Sequence, residues 1–150
     1  MFLDFDGVIN VFCEPGTPEY EQAVSTGEFD FANRDIVKRL NRFYHDFPVR
    51  IIVSSSWRYG GLDYCREYLL KAGMDPELSF YDTTSTDLCM TRENEIAEYL
   101  FEHPDFSGFI VFDDMHMPHL TEYQIETNPL KGWTEEKDFE ARKKISGFLK

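Results

Sequence analysis

The chain has 150 residues, of which 42% are hydrophobic, 16% aromatic and 29% charged, and its formal net charge is −13. This composition suits one domain with a packed core and excludes a disordered chain, a collagen-like repeat and a coiled coil. The negative charge excludes a broad basic surface, so we expect neither an extended nucleic-acid duplex nor an anionic membrane as a partner. A small phosphate site is compatible with this charge.

Cysteine usage and the first residues indicate the compartment. Cys13, Cys65 and Cys89 form no C-x-x-C pair, and we interpret them as reduced thiols. No apolar run approaches the roughly 18 residues that a membrane helix needs. Asp4 and Asp6 stand where a signal peptide would be basic and then apolar. We therefore expect a cytoplasmic protein.

Short apolar runs alternate with segments of helical periodicity, a pattern typical of an α/β domain on a mostly parallel sheet. The predicted strands are residues 2–5, 49–54 and 108–112, with a short edge strand at 123–126. The predicted helices are residues 33–47, residues 62–72, a third helix capped by Thr91 and a last helix capped by Thr134. Residues 10–32 and 75–90 are predicted to be loops or small flaps over one end of the sheet. We expect residues 1–150 to form a single domain.

Polar residues follow three of the predicted strands at their ends. They are the Asp4–Gly7 segment (DFDG), the Ser54–Arg58 segment (SSSWR) and the Asp113-Asp114 pair. The carboxyl ends of the strands line the ligand crevice in open parallel sheets. We therefore predict that these three segments, far apart in sequence, lie close together.

The first acidic pair fits nucleophilic catalysis. Asp4 and Asp6 are two residues apart, so their side chains share a face of extended backbone, and Gly7 allows a sharp turn directly afterwards. One carboxylate can attack phosphorus while the other exchanges protons with the departing oxygen and with water. A simple turn after a strand is the alternative interpretation. A calcium loop beginning at Asp4 is excluded, because its glycine position holds Ile9.

The second acidic pair points to a divalent cation. Four carboxylates in one crevice, Asp4, Asp6, Asp113 and Asp114, would repel one another, and a bound cation removes that repulsion. Ligation by oxygen alone, with open positions for water and phosphate, suits Mg²⁺.

Four further residues are candidates for binding the phosphate group. Ser54 and Ser55 offer hydroxyl groups after a strand, and Arg58 and Arg92 offer fixed positive charges. Phosphoryl transfer depends mainly on positioning and charge neutralisation, which such groups supply.

Four segments occur in the order FLDFDGVIN, IIVSSSWR, TRENEI and FIVFDD, and this order resembles motifs I to IV of the haloacid dehalogenase-like (HAD) hydrolase superfamily. The chain is most similar to small HAD domains without a cap, found alone or in RNA-repair proteins. The resemblance implies a Rossmann-like, three-layer α/β/α fold with a mostly parallel central sheet and a minimal cap. It also implies a Mg²⁺-dependent phosphatase that forms an aspartyl-phosphate.

The resemblance also implies individual roles. Asp4 would be the nucleophile and Asp6 the general acid and base. Ser54 would bind the phosphoryl group, and Arg92 would take the place of the usual lysine. The Mg²⁺ ligands would be the Asp4 carboxylate, the Asp6 main-chain carbonyl and Asp113, with Asp114 close by.

The sequence favours a phosphomonoesterase acting on a nucleotide or a polynucleotide end. Two alternatives stay open: a non-catalytic phosphate-binding or regulatory domain, and a phosphotransferase or mutase. The H-x-x-H pair His116 and His119 could be read as a metal site, but imidazole prefers softer metals than Mg²⁺. Most aromatic residues are expected in the core, except that Trp57 could stack on a substrate ring. Lys131 and Trp133 are further candidates for contact with substrate.

Overall fold

Helices separate the first four strands along the chain, whereas the last two strands follow each other directly. The computed structural model describes residues 1–26, 32–78 and 80–148, except the side chain of Ala23. The strands are β1 (Phe2–Leu3), β2 (Ile51–Val53), β3 (Phe80–Thr83), β4 (Val111–Asp113) and β5 (Gln124–Glu126). The helices are α1 (Pro18–Thr26), α2 (Arg34–Asp46), α3 (Leu62–Lys71), α4 (Arg92–Glu102) and α5 (Glu135–Phe148), with a 3-10 helix at Ser56–Gly60 before α3. None of these helices combines the length and the apolar character that crossing a bilayer requires.

The five strands form one sheet in the order β3-β2-β1-β4-β5, and every neighbouring pair is parallel. Strand β1 therefore lies between β2 and β4, with Leu3 level with Val53 on one side and Phe112 on the other. The chain order changes direction between β1 and β4, and such a switch point opens a crevice at the carboxyl ends of the strands. The segments after β1, β2 and β4 all reach this crevice.

Alternating side chains divide the core between the two faces of the sheet. Leu3 packs with residues of α2, α3 and α5, whereas its neighbour Phe2 packs with residues of α4. Phe112 and Val111 of β4 divide in the same way. Because successive strand residues point to opposite faces, helices cover both sides, and the predicted three-layer α/β/α architecture is confirmed.

Residues 10–32 contain a helix that the loop prediction missed. Helix α1 occupies Pro18–Thr26, and Tyr20 N donates a hydrogen bond to Thr17 Oγ1 at 3.3 Å. A threonine cap followed by proline at the first helical position is a helix start signal that the sequence carried. The loop prediction was wrong for α1, and residues 27–31 of that stretch lie outside the described residues.

Residues 75–90 contain an edge strand that was also predicted as loop. Strand β3 (Phe80–Thr83) pairs with β2 alone and is half-exposed, so its sequence lacks the continuous apolar run of an inner strand. Ser79 lies outside the described residues. The strands β1, β2 and β4 are shorter than predicted: β1 ends two residues earlier, and β2 and β4 begin two and three residues later. The predicted edge strand at the other side of the sheet is confirmed as β5 (Gln124–Glu126).

Candidate active site

Three carboxylates converge at the carboxyl ends of β1 and β4. Asp4 follows β1 directly, and its N–H donates to Phe112 O at 3.0 Å, which holds it beside Asp113 at the end of β4. Asp4, Asp113 and Asp114 each offer an oxygen within 4.8 Å of the others. We call these three residues the acidic cluster. The structure thus brings Asp4 of the first acidic pair together with both residues of the second pair.

Burial makes negative charge costly in the acidic cluster. Asp113 is 0% exposed and Asp4 6% exposed. Burial raises the pKa of Asp113 to about 7, and the negative charge of Asp4 adds to this effect. Burial likewise raises the pKa of Asp4 to about 6, against the opposing influence of the Arg92 guanidinium. The pKa of Asp114 is raised by burial and by the charge of Asp6. Each of these shifts favours a bound cation, since a positive charge stabilises the ionised carboxylates.

A tight turn after β1 brings Asp114 into the cluster. Gly7 has φ of 79°, and Thr127 Oγ1 donates a hydrogen bond to its carbonyl at 2.7 Å. A β-carbon at this position would lie 2.5 Å from Asp114 Oδ2. Glycine is therefore required here both for the backbone conformation and for the approach of Asp114.

The carboxylate of Asp6 lies apart from the acidic cluster. Asp6 Oδ1 accepts a hydrogen bond from Asn10 Nδ2 at 2.8 Å, and Asp6 Oδ2 accepts one from Trp57 Nε1 at 3.0 Å. Trp57, which the sequence suggested could stack on a substrate ring, thus binds Asp6 through its indole nitrogen. The resemblance implied different roles for Asp4 and Asp6, and only Asp4 belongs to the acidic cluster.

Arg92 supplies positive charge to the cluster. It is the first residue of α4, which begins after Thr91, whose side chain accepts from Asn94 N. Arg92 Nη1 lies 3.3 Å from Asp113 Oδ2 and 3.5 Å from Asp4 Oδ1. The predicted juxtaposition of this arginine with the acidic pairs is thus present. The Arg92 side chain is 13% exposed, so its charge acts with little solvent screening.

The two serines that follow β2 are both buried beside the site. The Ser55 side chain hydrogen-bonds Asp4 and also accepts from Trp57 N at 3.4 Å. Ser54 Oγ is buried and has no hydrogen-bond partner within the described part of the chain. An unpaired buried hydroxyl is costly, and an added acceptor such as a phosphoryl oxygen would satisfy it.

Arg58 points into the protein rather than into the crevice. Its side chain is 2% exposed, and Nη2 lies 2.7 Å from Glu95 Oε1. Its Nε and Nη1 donate to the carbonyls of Ser85 and Ser55, both at 2.9 Å. Because its side chain is buried and paired with Glu95, Arg58 is not placed to contact a substrate, so the expectation of phosphate contact is corrected. The reason is the 3-10 helix after β2, which turns the side chain inward.

Sequence reasoning missed Glu95, which joins the two arginines. Glu95 Oε2 lies 3.3 Å from Arg92 Nε, while Oε1 binds Arg58. Glu95 is 5% exposed, and a buried carboxylate is rarely found without a partner. The i,i+3 spacing from Arg92 in TRENEI was the available signal for this pair.

The histidines and Trp133 do not join the site. His116 pairs with Glu126 at 2.7 Å, and His119 pairs with Glu93 at 3.2 Å, both as exposed side chains. The two imidazoles thus bind different carboxylates, which leaves the H-x-x-H pattern without a shared metal position. Trp133 is 0% exposed and packs on Phe112 with ring centroids 4.0 Å apart, so it belongs to the core.

A parallel sheet with an acidic centre at its switch point is compatible with the class of HAD-like proteins. Residues 1–137 match the family described as the HAD domain in Swiss Army Knife RNA repair proteins, and the chain belongs to this family. No curated protein and no solved structure was found to match. Membership supports, in general terms, a phosphatase-like hydrolase with a phosphorylated substrate. The resemblance in the sequence motifs is thereby confirmed.

Proposed function

We propose that the protein is a Mg²⁺-dependent phosphomonoester hydrolase that acts through an aspartyl-phosphate on Asp4. The observation that carries this proposal is the convergence of Asp4, Asp113 and Asp114 within 4.8 Å, with Arg92 in contact with two of them. A nucleophile, a cation site and a fixed positive charge at one point are the components that phosphoryl transfer needs.

The acidic cluster fits Mg²⁺ by its chemistry. Its donors are carboxylate oxygens, the ligands that this ion prefers, and their burial makes a compensating cation favourable. The carboxylates of Asp4 and Asp113 and the main-chain carbonyl of Asp6 would hold the ion, with Asp114 beside them. When bound, the ion neutralises charge on the phosphoryl oxygens.

In the proposed first step, one Asp4 carboxylate oxygen attacks phosphorus. The new bond joins this oxygen to phosphorus, and the ester P–O bond to the leaving group breaks. The departing oxygen keeps the electron pair of that bond and takes a proton from the Asp6 carboxyl group. Arg92 stabilises the negative charge that spreads over the phosphoryl oxygens, and Ser54 donates its hydroxyl hydrogen to one of them.

In the proposed second step, water completes the turnover. Asp6, now ionised, accepts a proton from the water as the water oxygen attacks phosphorus. The bond between phosphorus and Asp4 breaks, which restores the Asp4 carboxylate and releases inorganic phosphate. Ser55 hydrogen-bonds Asp4, so it would hold the nucleophile in place in both steps.

A nucleotide or a polynucleotide end is the substrate that we propose. Related domains belong to RNA repair proteins by the description of the family, which supports a phosphate carried on nucleic acid. A net charge of −13 disfavours contact with a long polyanion, so a terminal phosphate fits better than an extended duplex. We also propose a cytoplasmic location, which the three free cysteines support.

The test is a phosphatase screen with matched aspartate variants. The panel comprises nucleotides, 3′- and 5′-phosphorylated oligonucleotides, sugar phosphates, phosphopeptides and an aryl phosphate, each with Mg²⁺. Asp4→Asn should abolish turnover without unfolding the protein, whereas Asp63→Asn, a change at an exposed position on α3, should leave turnover unchanged.

The outcome separates the three candidate functions. If the native chain turns over a substrate and Asp4→Asn retains that turnover, Asp4 is not the nucleophile. Binding of phosphate with no turnover on any substrate would favour a non-catalytic phosphate-binding domain. Labelled phosphate that appears on an acceptor other than water would favour a phosphotransferase or mutase.

A further inference from the structure

We propose that Trp57 and Asn10 are positioning residues that hold the Asp6 carboxylate for proton transfer, a role that rests on the phosphatase function proposed above. The two donors engage different oxygens: Asn10 Nδ2 reaches Oδ1 at 2.8 Å and Trp57 Nε1 reaches Oδ2 at 3.0 Å. Two hydrogen bonds on opposite oxygens fix the plane of a carboxylate, which one bond would leave free to rotate. We call this arrangement the Asp6 clamp.

The Asn10 side of the clamp is oriented by a third residue. Tyr68 OH donates to Asn10 Oδ1 at 2.7 Å, and Asn10 is 0% exposed. With its amide oxygen bound to Tyr68, Asn10 directs its amide nitrogen to Asp6. The reverse orientation would place two acceptors, the amide oxygen and the carboxylate, against each other.

The Trp57 side is held by packing. Its indole lies 4.2 Å from the Tyr68 ring and 5.7 Å from the Tyr64 ring, measured between centroids. The Phe5 ring lies 5.7 Å away. These ring contacts restrict rotation of the indole and keep its Nε1–H directed at Asp6. Trp57 N also donates to Ser55 Oγ, so the clamp is joined to the serine that contacts Asp4.

The clamp explains how Asp6 can serve proton transfer while the nearby acidic cluster serves ion binding and attack on phosphorus. A carboxylate has about four acceptor positions, so two occupied positions leave others for the substrate or for water. Without the clamp, the Asp6 side chain could rotate toward the acidic cluster and leave the path of the departing oxygen. An indole and an amide are neutral donors that keep their protons, so they hold Asp6 in the same orientation throughout the reaction.

The first experiment tests the hydrogen bond from Trp57 to Asp6 and does not depend on catalysis. The chain has 2 tryptophans, so a nitrogen-15 NMR spectrum shows two indole signals, which Trp57→Phe and Trp133→Phe assign. Asp6→Ala removes the acceptor and should move the Trp57 indole proton upfield while the Trp133 signal stays in place. A Trp57 signal that does not move would overturn the clamp.

The second experiment tests the role of the clamp in catalysis by comparing two leaving groups. Trp57→Phe should lower kcat/KM for phenyl phosphate by about 10- to 100-fold, part of the roughly 10²- to 10⁴-fold that a positioned proton donor contributes. It should lower kcat/KM for dinitrophenyl phosphate far less, because that leaving group departs without a proton. Trp133→Phe is the structural control, and any loss that it causes should be equal for both substrates. Equal losses with Trp57→Phe would overturn the role.

Two further observations keep the test decisive. If Trp57→Phe does not fold, Tyr68→Phe removes only the hydroxyl that orients Asn10 and should give a smaller difference in the same direction. No difference with a folded Tyr68→Phe would count against the proposal. A native chain that turns over no substrate of the screen described above would overturn both the phosphatase function and this role. A native chain that is active, and whose Trp57→Phe variant loses equally with both leaving groups, would overturn the role alone.

Discussion

Gly7 lets Asp114 reach the acidic cluster, because an ideal β-carbon on Gly7 would lie 2.5 Å from Asp114 Oδ2. Gly7 also has a positive φ of 79° and lies one residue after Asp6. The glycine of the D-x-D-G motif therefore serves the second acidic pair as well as the turn. The glycine of the motif that follows β1 is thus required by a residue that follows β4.

Gly7→Ala should displace Asp114 and weaken metal binding. The added methyl group meets a carboxylate, and the positive φ alone costs about 1–2 kcal/mol for an alanine. Gly16→Ala is the matched control, since Gly16 has φ of 88° with no atom within 4 Å of an added β-carbon. Both variants should lose stability, but Gly7→Ala alone should lose Mg²⁺ affinity, measured by calorimetry. Equal Mg²⁺ affinity in the two variants would contradict the contact.

Asp113→Asn should stabilise the metal-free protein above neutral pH. Burial raises the pKa of Asp113 to about 7 from its ordinary value of 3.8, so the native state holds an extra proton between about pH 4 and pH 7. Stability from this group is therefore lost as the pH rises through that range. Asparagine removes the ionisation, and the variant should gain up to about 4 kcal/mol at pH 8, since the pKa rises from 3.8 to about 7 and one pKa unit corresponds to about 1.4 kcal/mol.

The measurement is urea unfolding in EDTA at several pH values. The difference between Asp113→Asn and the native chain should be small near pH 4 and should grow toward pH 8. Asp63→Asn, at an exposed position, should show no such trend. A native chain that is more stable than Asp113→Asn at pH 8 without metal would contradict the prediction.

Mg²⁺ should raise the melting temperature of the native chain. An ion that binds only the folded state adds RT ln(1 + [L]/Kd), about 2.7 kcal/mol at 100 times Kd. Scanning calorimetry with Mg²⁺ or with EDTA measures the shift. Asp113→Asn removes a carboxylate of the acidic cluster, so this variant should show little of the shift in melting temperature. A melting temperature that does not respond to millimolar Mg²⁺ would argue against a metal site at this cluster.

Much of the fold could be predicted because inner parallel strands and capped helices leave local signals. The apolar run before Asp113 and the cap at Thr91 are examples, and both elements are present. Strand β3 left no such signal, because an edge strand with half-exposed residues lacks both a continuous apolar run and strict alternation. Helix α1 was missed although Thr17 and Pro18 mark its start.

The candidate site, like the fold, could be predicted only in part. The acidic cluster could be predicted, because residues at strand ends inherit their position from the sheet. The side-chain partners could not, since the bond from Trp57 to Asp6 spans 51 positions and depends on where the 3-10 helix places the indole. The inward turn of Arg58 has the same origin, and no spacing in the sequence distinguishes it from an outward one.

Glu95→Gln should lower both stability and activity, because Glu95 separates two buried cations. Glu95 Oε1 lies 2.7 Å from Arg58 Nη2, and Oε2 lies 3.3 Å from Arg92 Nε. Removing one partner of a buried ion pair costs about 3–5 kcal/mol, and glutamine, which keeps the shape, should cost about 2–4 kcal/mol. Arg92 would also lose its anchor on α4, so KM for the phosphorylated substrate should rise. Glu98→Gln, an exposed change on the same helix, is the control.

A double-mutant cycle tests whether the charge is the cause. Arg58→Met removes the cation that Glu95→Gln leaves unpaired, so the two changes together should cost less than the sum of their separate costs. Urea unfolding gives the free energies of unfolding for the four proteins. Activity need not recover in the double variant, because Arg92 still lacks its carboxylate partner. Strictly additive costs would show that Glu95 and Arg58 do not stabilise each other, which would contradict the ion pair as the cause.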